Sequence, residues 1–328
     1  MTANRVLVTV IHMHDREAPY LTRLETEGLR VVRQIGRHGK LTEDELIAAL
    51  PGVFATLAGS EPYTERVFQK APDLRVVSRW GVGFDAIDVE AATRHRVAVC
   101  TAVGANHEAV ADYALGLMGA LQRGLLRNHR LITQGQWRAE FRPGLWRATV
   151  GIVGLGRIGR AVARRCRGFE MRILACEPEP DFAFVRQHAI ELVSLEELLR
   201  QADIVTLHCP VNAETRHMIN RERLALMKPS AHLINTARGP LVDESALYEA
   251  LTSGRIAGAG LDVFEREPLT ASPLFALDNA ILSPHVAGVD YVSEVAMANR
   301  AIDSILAVWR CEPPPSDCLL NPGALLRR

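Results

Sequence analysis

No feature of this chain constrains its fold more than the run Thr149-Val-Gly-Ile-Val-Gly154-Leu-Gly156-Arg157-Ile158-Gly159-Arg-Ala-Val-Ala163. A β-prone stretch runs into three glycines spaced G-x-G-x-x-G and continues into an alanine-rich helical segment. In that context the first glycine allows a tight turn, the second lets backbone approach a ligand, and the third lets the helix lie against the strand. The first amides of the helix have no intrahelical acceptor and point at whatever precedes them, which favours phosphate. Glu177, 23 positions after Gly154, closes the next β-prone run. Its carboxylate can accept two ribose hydroxyls and would repel a 2′-phosphate. The pattern predicts a unit that binds NAD rather than NADP. Arg157 either adds charge-assisted bonds to the pyrophosphate or faces solvent.

Alternation of strand-like and helix-like segments extends on both sides of this motif. Strands are expected at residues 6–11, 29–33, 54–57, 74–78 and 97–100, and Thr42-Glu-Asp-Glu45 is a capping box opening a helix through Leu50. A second series falls at 149–153, 172–176, 204–207, 231–235, 257–261 and 280–282. Such alternation implies α/β architecture: two Rossmann-like domains with parallel sheets and helices on both faces. Two domains also suit 328 residues. Between the series lie an alanine-rich helix at 107–121 and a polar, irregular region at 122–146, whose Trp137 and Trp146 suit exposure for function and an oligomer contact or lid about equally. A last helix at 292–308 and its tail are too short for a domain and are expected to pack on the first one.

Lys plus Arg and Asp plus Glu number 38 each, so no broad field attracts nucleic acid or anionic lipid. The six cysteines form no CxxC pair or regular framework, in keeping with reduced thiols in the cytoplasm. Residues 6–11 are too short for a signal segment, and 109–121, interrupted by Asp112, falls short of a membrane span. His12-x-His14 has no nearby Cys or carboxylate pattern to complete a metal site, so none is expected.

Charged residues recur where strands should end: Arg238 in Leu233-Ile-Asn-Thr-Ala-Arg238-Gly, Asp262 and Glu267 in Leu261-Asp262-Val-Phe-Glu-Arg-Glu267-Pro268, and His285 in Ser283-Pro-His285. Strand C-termini of an open parallel sheet converge on one crevice, so these residues can meet. Hydride addition to a ketone leaves charge on oxygen that must be neutralised and protonated. His285 suits the general acid, Glu267 its carboxylate partner, and Arg238 a clamp for a substrate carboxylate. Taken singly, His285 could cap a strand and Arg238 could serve an ordinary ion pair.

With these segments, Val77-Ser-Arg79-Trp-Gly-Val82-Gly83-Phe-Asp-Ala-Ile-Asp88, His208-Cys209-Pro210-Val-Asn-Ala-Glu-Thr215 and Met227-Lys-Pro229, the sequence closely resembles the D-isomer-specific 2-hydroxyacid dehydrogenase family along nearly its whole length. The resemblance implies Arg238, Glu267 and His285 as the catalytic set, with the Val82 and Gly83 amides holding the substrate carboxylate. It implies a cofactor site lined by Gly154, Gly156, Arg157, Ile158, Gly159, Glu177, His208, Cys209, Pro210, Thr215, Thr236, Ala237, Asp262, His285 and Gly288, with Asp262 on the nicotinamide carboxamide. It also implies a discontinuous, flavodoxin-like substrate-binding domain (residues 1–103 with 292–328), an NAD-binding domain (104–291), and a homodimer joined through the NAD-binding domains. Ala86, Val103, the pair Arg147-Ala148 and Asp290 depart from the family pattern.

Arg79 falls where phosphoglycerate dehydrogenases place a phosphate-binding arginine, but Ala58 stands at the position of their second arginine. Arg79 therefore reads equally as facing the substrate or solvent. Phosphoglycerate, glycerate or hydroxypyruvate, glycolate or glyoxylate, and another aliphatic 2-keto acid all stay open as substrates. Two other functions stay open: an NAD-sensing co-repressor, and NAD-dependent oxidation of a small anion such as formate or phosphite.

Overall fold

A computed structural model of the 328-residue chain describes residues 4–13, 18–37 and 39–325, and His14 lies outside them. The chain divides into two compact units, Met1–Asn106 with Asp290–Arg328, and His107–Val289.

The first unit is built on β1 (Arg5–Val8), β2 (Arg30–Arg33), β3 (Val53–Ala58), β4 (Val76–Arg79) and β5 (Ala98–Thr101). They pair in the order β2-β1-β3-β4-β5, parallel throughout. This is the flavodoxin-like order, with its reversal between β1 and β3. All of β3 and β5 is buried, which is why these strands read as unbroken apolar runs rather than alternating ones. Leu46, Leu50, Val67, Phe68 and Ala91 pack with Leu7, Val77 and Val99 of the sheet. Fully burying a side chain such as Leu46 contributes about 1.5–3 kcal/mol.

The C-terminal segment completes this unit, so the domain is discontinuous as the pattern predicts. Helix Tyr291–Trp309 packs on β3, β4 and β5. Ser78 donates to the Ala301 carbonyl at 2.9 Å, and the Trp309 ring meets Phe54 edge-on at 5.0 Å. Asp290 starts the helix: its carboxylate accepts from the Ser293 amide at 2.6 Å while the Ser293 hydroxyl accepts from the Asp290 amide at 2.9 Å. Past the helix, the chain closes the open edge of β5. Thr101 donates to the Cys318 carbonyl and Leu320 to that of Val99, each at 2.9 Å, and Asn321 accepts from the Val99 amide at 2.8 Å. An uncovered edge strand would otherwise be a template for pairing with another chain.

The second unit holds β6 (Thr149–Val153), β7 (Arg172–Cys176), β8 (Glu191–Leu192), β9 (Ile204–Leu207), β10 (His232–Asn235), β11 (Gly258–Leu261) and β12 (Ala280–Leu282). The order is β12-β11-β10-β9-β6-β7-β8, again all parallel. The chain starts at β6, builds outward through β8, and returns to add β9 on the other side. The reversal therefore lies between β6 and β9, where sheets of this kind take a dinucleotide. Helix His107–Gln122 buries Ala111, Ala114, Leu117 and Met118 in a core shared with Ile152 and Ile234.

The capping box forms as expected, with the Thr42 amide donating to Glu45 at 2.8 Å and the Glu45 amide to the Thr42 hydroxyl at 3.3 Å. Three elements differ from the sequence expectation. The first strand ends at Val8, and Ile11–Met13 is a 3-10 turn. β8 escapes prediction because it is only two exposed residues long. The region expected to be irregular contains helix Leu125–Thr133, started by Gly124 at φ 59°. Its Leu125, Leu126 and Ile132 are exposed, so no buried stripe marks it as helical.

Candidate active site

The turn after β6 has the shape its glycines predict. Gly154 has φ 96°, and a Cβ there would lie 2.8 Å from the Cys209 amide nitrogen. A Cβ on Gly159 would come within 2.0 Å of the Gly154 carbonyl oxygen, so helix Arg157–Gly168 can rest on the strand only without one. At Gly156 a Cβ would meet nothing within 4 Å, so backbone is open there on the side a pyrophosphate would approach. Arg157 is exposed at the helix start and Ile158 is half-buried. Glu177, immediately after β7, accepts from the Leu155 amide at 2.6 Å and from the Glu179 amide at 3.2 Å. Its carboxylate is thereby fixed beside the glycine turn, where a ribose belongs.

After β9, burial pushes the His208 imidazole down to about 3, so it is neutral. One ring nitrogen pairs with the Thr206 hydroxyl at 2.9 Å, and Nδ1 is buried with no partner among the described residues. The following loop is held by Asn212, which accepts from the Glu214 and Thr215 amides at 2.9 Å. Thr215 in turn donates to the Pro210 carbonyl at 2.8 Å. After β10, Thr236 is buried with its hydroxyl unpartnered among the described residues, next to the buried Ala237. An unsatisfied buried hydroxyl costs free energy unless a ligand or water meets it. The His208 and Thr236 atoms, with open backbone at Gly156, fit a polar cofactor.

Asn235, buried at the end of β10, shapes the turn that carries Arg238. It accepts from the Ala237 amide at 3.1 Å and donates to the Arg238 carbonyl at 2.8 Å. The Arg238 guanidinium donates to the Ala237 carbonyl at 2.7 Å. Asp262, 1% exposed after β11, accepts from the Ser283 hydroxyl at 2.6 Å and from the Val286 and Ala287 amides at 3.0 and 2.8 Å. It thus organises the loop of His285 and the turn leading to Gly288. His285 has φ 55°, a strained backbone for a residue with a Cβ. It is held there by its amide donating to the carbonyls of Asp262 at 2.9 Å and Ser283 at 3.1 Å.

His285 Nδ1 faces Glu267 at 2.7 Å, and the other Glu267 oxygen accepts from the Phe264 amide at 3.0 Å. Burial pushes the Glu267 carboxyl up. The hydrogen bond and charge of His285, the Phe264 amide and the Arg238 cation together outweigh burial and leave it below its ordinary value. The second unit therefore brings an ionised carboxylate, an imidazole and a guanidinium into one field. Such a set can clamp an anion, hold an imidazole in one orientation, and pass a proton from the ring nitrogen that Glu267 leaves free.

In the first unit, Val82 and Gly83 are half-buried and their amides have no acceptor among the described residues. Arg79 donates to the carbonyls of Ala58, at 3.4 Å, and of Trp80. Trp80 is buried and packs the unit. Asn235, Asn212 and Ser283 received no role from sequence reasoning. The available signal was an Asn or Ser at a strand end beside a charged residue, the pattern of a side chain that shapes its own turn.

Residues 115–287 match the NAD binding domain of the D-isomer specific 2-hydroxyacid dehydrogenases. A glyoxylate reductase of Korarchaeum cryptofilum is 42% identical over 264 residues, covering 78% of this chain and 80% of that protein. The chain belongs to the D-isomer specific 2-hydroxyacid dehydrogenase family. A solved protein of Thermus thermophilus superposes on the dehydrogenase with a TM-score of 0.87 at 37% identity, over 96% of this chain and 99% of the other. The D-lactate dehydrogenase of Aquifex aeolicus, solved with NAD and lactic acid, superposes with a TM-score of 0.85 at 27% identity over 97% and 99%. This dehydrogenase is accordingly an NAD-dependent oxidoreductase for small 2-hydroxy or 2-keto acids.

Two outcomes follow from the geometry. Glu177→Ala should raise kcat/KM with NADPH relative to NADH by about 10-fold or more if the carboxylate beside the glycine turn meets the ribose; an unchanged ratio in parallel assays would refute that role. Because folding lowers the Glu267 value, the dyad is present above the ordinary carboxyl value of 4.5 and is lost only as pH falls through the lower folded value. Turnover followed downward from neutral pH should keep its dyad-dependent part to below 4.5, and Glu267→Gln should lack that acid limb. A wild-type loss well above 4.5, with the fold intact by circular dichroism, would contradict this order of titration.

Proposed function

We propose that this dehydrogenase reduces small 2-keto acids of the glyoxylate and hydroxypyruvate kind with NADH, and oxidises the matching D-2-hydroxy acids in reverse. The observation that carries the reading is the 2.7 Å contact between His285 and an ionised Glu267 within the field of Arg238. In the first unit the Val82 and Gly83 amides are assigned to a substrate carboxylate, and in the second the Arg238 guanidinium is assigned as an anion clamp. Arg238 also polarises the keto oxygen. NADH, when bound, supplies the hydride that adds to C2. His285 delivers the proton to the new alkoxide from Nε2, since Nδ1 faces Glu267, and Glu267 stabilises the protonated ring and fixes its plane.

The cofactor is assigned to the turn Gly154, Gly156, Arg157, Ile158 and Gly159, to Glu177, to the loop of His208, Cys209, Pro210 and Thr215, and to Thr236, Ala237, Asp262 and Gly288. The buried, unpartnered His208 and Thr236 atoms support this assignment. The glyoxylate reductase relative favours a compact substrate, since a pocket for two or three carbons needs little beyond carboxylate recognition. We place the protein in the cytoplasm, where NADH is available; cell fractionation tests that. Among the described residues no helix is long and apolar enough to cross a membrane, and no group of three or more side chains could hold a metal.

A homodimer joined through the NAD-binding units is part of the proposal. Trp137 is 93% exposed, and Phe141, Trp146, Leu125, Leu126 and Ile132 are exposed in the same part of the chain. So much apolar surface marks an interface more often than bare solvent.

Absorbance at 340 nm across glyoxylate, hydroxypyruvate, pyruvate, longer 2-keto acids and phosphohydroxypyruvate tests the substrate. His285→Gln should lower kcat by about 10²–10⁴-fold with little change in NADH affinity, and Arg238→Met should also raise the keto-acid KM. Silence across the panel, with NADH binding intact, would shift the reading to oxidation of a small anion such as formate, or to a sensor. Trp137→Asp with Phe141→Asp should convert the dimer to monomer in sedimentation velocity; a monomeric wild type would overturn the dimer.

A further inference from the structure

Arg238 and Glu267 stand on two turns of the second unit, after β10 and β11, whose backbones press on each other. A Cβ on Gly239, the residue after Arg238, would lie 1.9 Å from the Phe264 carbonyl carbon and 2.5 Å from the Glu265 amide nitrogen. The peptide joining Phe264 to Glu265 therefore rests directly on the Arg238 turn. The Phe264 amide, one peptide earlier, donates to Glu267 Oε1 at 3.0 Å, and Glu267 Oε2 faces His285 at 2.7 Å. Where this short stretch of backbone sits thus sets where the Glu267 carboxylate is held.

Two further carboxylates hold that stretch from its other side. Glu244, the first residue of helix Glu244–Thr252, accepts from the Glu265 amide, and Glu265 Oε1 accepts from the Glu244 amide at 3.1 Å. Residues 21 positions apart thus exchange a carboxylate for an amide in both directions. The helix already has its own N-cap in Asp243, which accepts from the Ala246 amide at 2.9 Å, so the exchange does more than start a helix. Burial pushes the Glu244 carboxyl up, and the charges of Glu265 and Glu267 push the same way against the Glu265 amide. What Glu244 supplies is an oxygen acceptor rather than a charge. His217 spans the same two turns: its amide donates to the Pro240 carbonyl at 2.7 Å, and its Nε2 lies 3.1 Å from the Glu265 oxygen that the Glu244 amide also meets.

We propose that Glu244 and Glu265 are positioning residues for the proton step: their reciprocal exchange, with His217 beside it, clamps the Phe264–Glu265 peptide against Gly239 and so keeps Glu267 aimed at His285. This rests on the role of Glu267 and His285 in the keto-acid reduction proposed above. Neither residue meets substrate. Glu244 acts through the Glu265 amide, and the Glu265 backbone acts through Phe264 on Glu267. The helix that follows the Arg238 turn is in this way used to fix the carboxylate of the next turn, so that two catalytic side chains from separate strands share one backbone support.

The test is steady-state kinetics of the full-length enzyme with glyoxylate, hydroxypyruvate and NADH, with NADH affinity followed by nicotinamide fluorescence and melting temperature recorded. Glu244→Ala should lower kcat by about 10-fold or more while the keto-acid KM and NADH affinity change by less than about threefold, since orientation at the proton step is lost and binding is not. Glu244→Gln should recover most of kcat, because its amide oxygen can still accept from Glu265. Added to Glu267→Gln, Glu244→Ala should cost less than about a further twofold, its effect passing through Glu267. Where Glu244→Ala does not fold, Glu265→Ala at an exposed position replaces it, with a fall in kcat of about threefold or more at constant KM expected. A lowered melting temperature in the alanine variants with unchanged kcat would make the exchange merely structural and overturn the inference. Glu244→Gln as slow as Glu244→Ala, or full additivity with Glu267→Gln, would contradict it equally. An active wild type slowed by Glu267→Gln but not by Glu244→Ala would defeat this inference alone, whereas a wild type inactive on every keto acid would defeat both it and the reading beneath it.

Discussion

A parallel sheet covered on both faces leaves its polar chemistry one place to go, and this protein's functional residues follow from that constraint. Strands β6, β9, β10 and β11 are buried almost from end to end, so an unpaired charge within them would be prohibitive. At the C-terminal edge the strands release the chain into turns, and the chemistry collects there. Gly154 follows β6, Glu177 follows β7, His208 follows β9, Thr236 to Arg238 follow β10, Asp262 follows β11, and His285 comes three residues after β12. The first unit repeats the arrangement with Thr9 after β1, Glu61 after β3, and Arg79 closing β4. Residues distant in sequence become neighbours because parallel strands all end on the same side.

Within that edge, Asp262 bears more of the geometry than its distance from the proton step would indicate. A carboxylate 1% exposed must be compensated, and three donors from residues 283–287 do so at 2.6–3.0 Å. Those donors bend the chain back toward β11 just where His285 takes a left-handed backbone. The imidazole is therefore aimed by a neighbouring charge before it meets Glu267. At Glu267 the competition is explicit: burial favours the neutral acid, and the imidazole, a backbone amide and a guanidinium favour the anion and win. An ionised Glu267 is what a protonated His285 requires, and the donors around it outweigh the burial that, acting alone, would uncouple the pair.

Much of this was legible in the sequence because its signals are local. The glycine spacing dictates a turn whose steric demands appear in the structure as a 2.0 Å clash awaiting any Cβ at Gly159. The strands other than the short, exposed β8 were visible as apolar or β-branched runs, and the Thr42–Glu45 box as a four-residue pattern. Less was legible where the deciding contact is distant. Nothing near Glu61 in sequence indicates that it will be buried beside Thr9, 52 residues away. Helix Leu125–Thr133 leaves Leu125, Leu126 and Ile132 exposed and buries only Leu131 among its large apolar residues, so the usual link between periodicity and burial is weak there. Asn235 lay in a quoted motif, yet its function is a pair of backbone contacts that its residue type permits and only the fold makes necessary.

The departures from the family pattern are instructive because backbone or an equivalent side chain takes over the lost role. Asp290 accepts from the third amide of its helix, that of Ser293. Ala86 has no polar side chain, but its carbonyl accepts from the Tyr63 amide at 2.8 Å and so joins its loop to the segment after β3. Arg147 has a left-handed backbone, at φ 58°. A left-handed arginine costs about 1 kcal/mol or more. Its guanidinium lies 4.5 Å from the Trp146 ring centre and 3.2 Å from Glu170, contacts of a size to offset that strain in part. At all three positions a local contact holds the chain on its path. Arg238, Glu267 and His285 differ in that the side chain itself carries the charge.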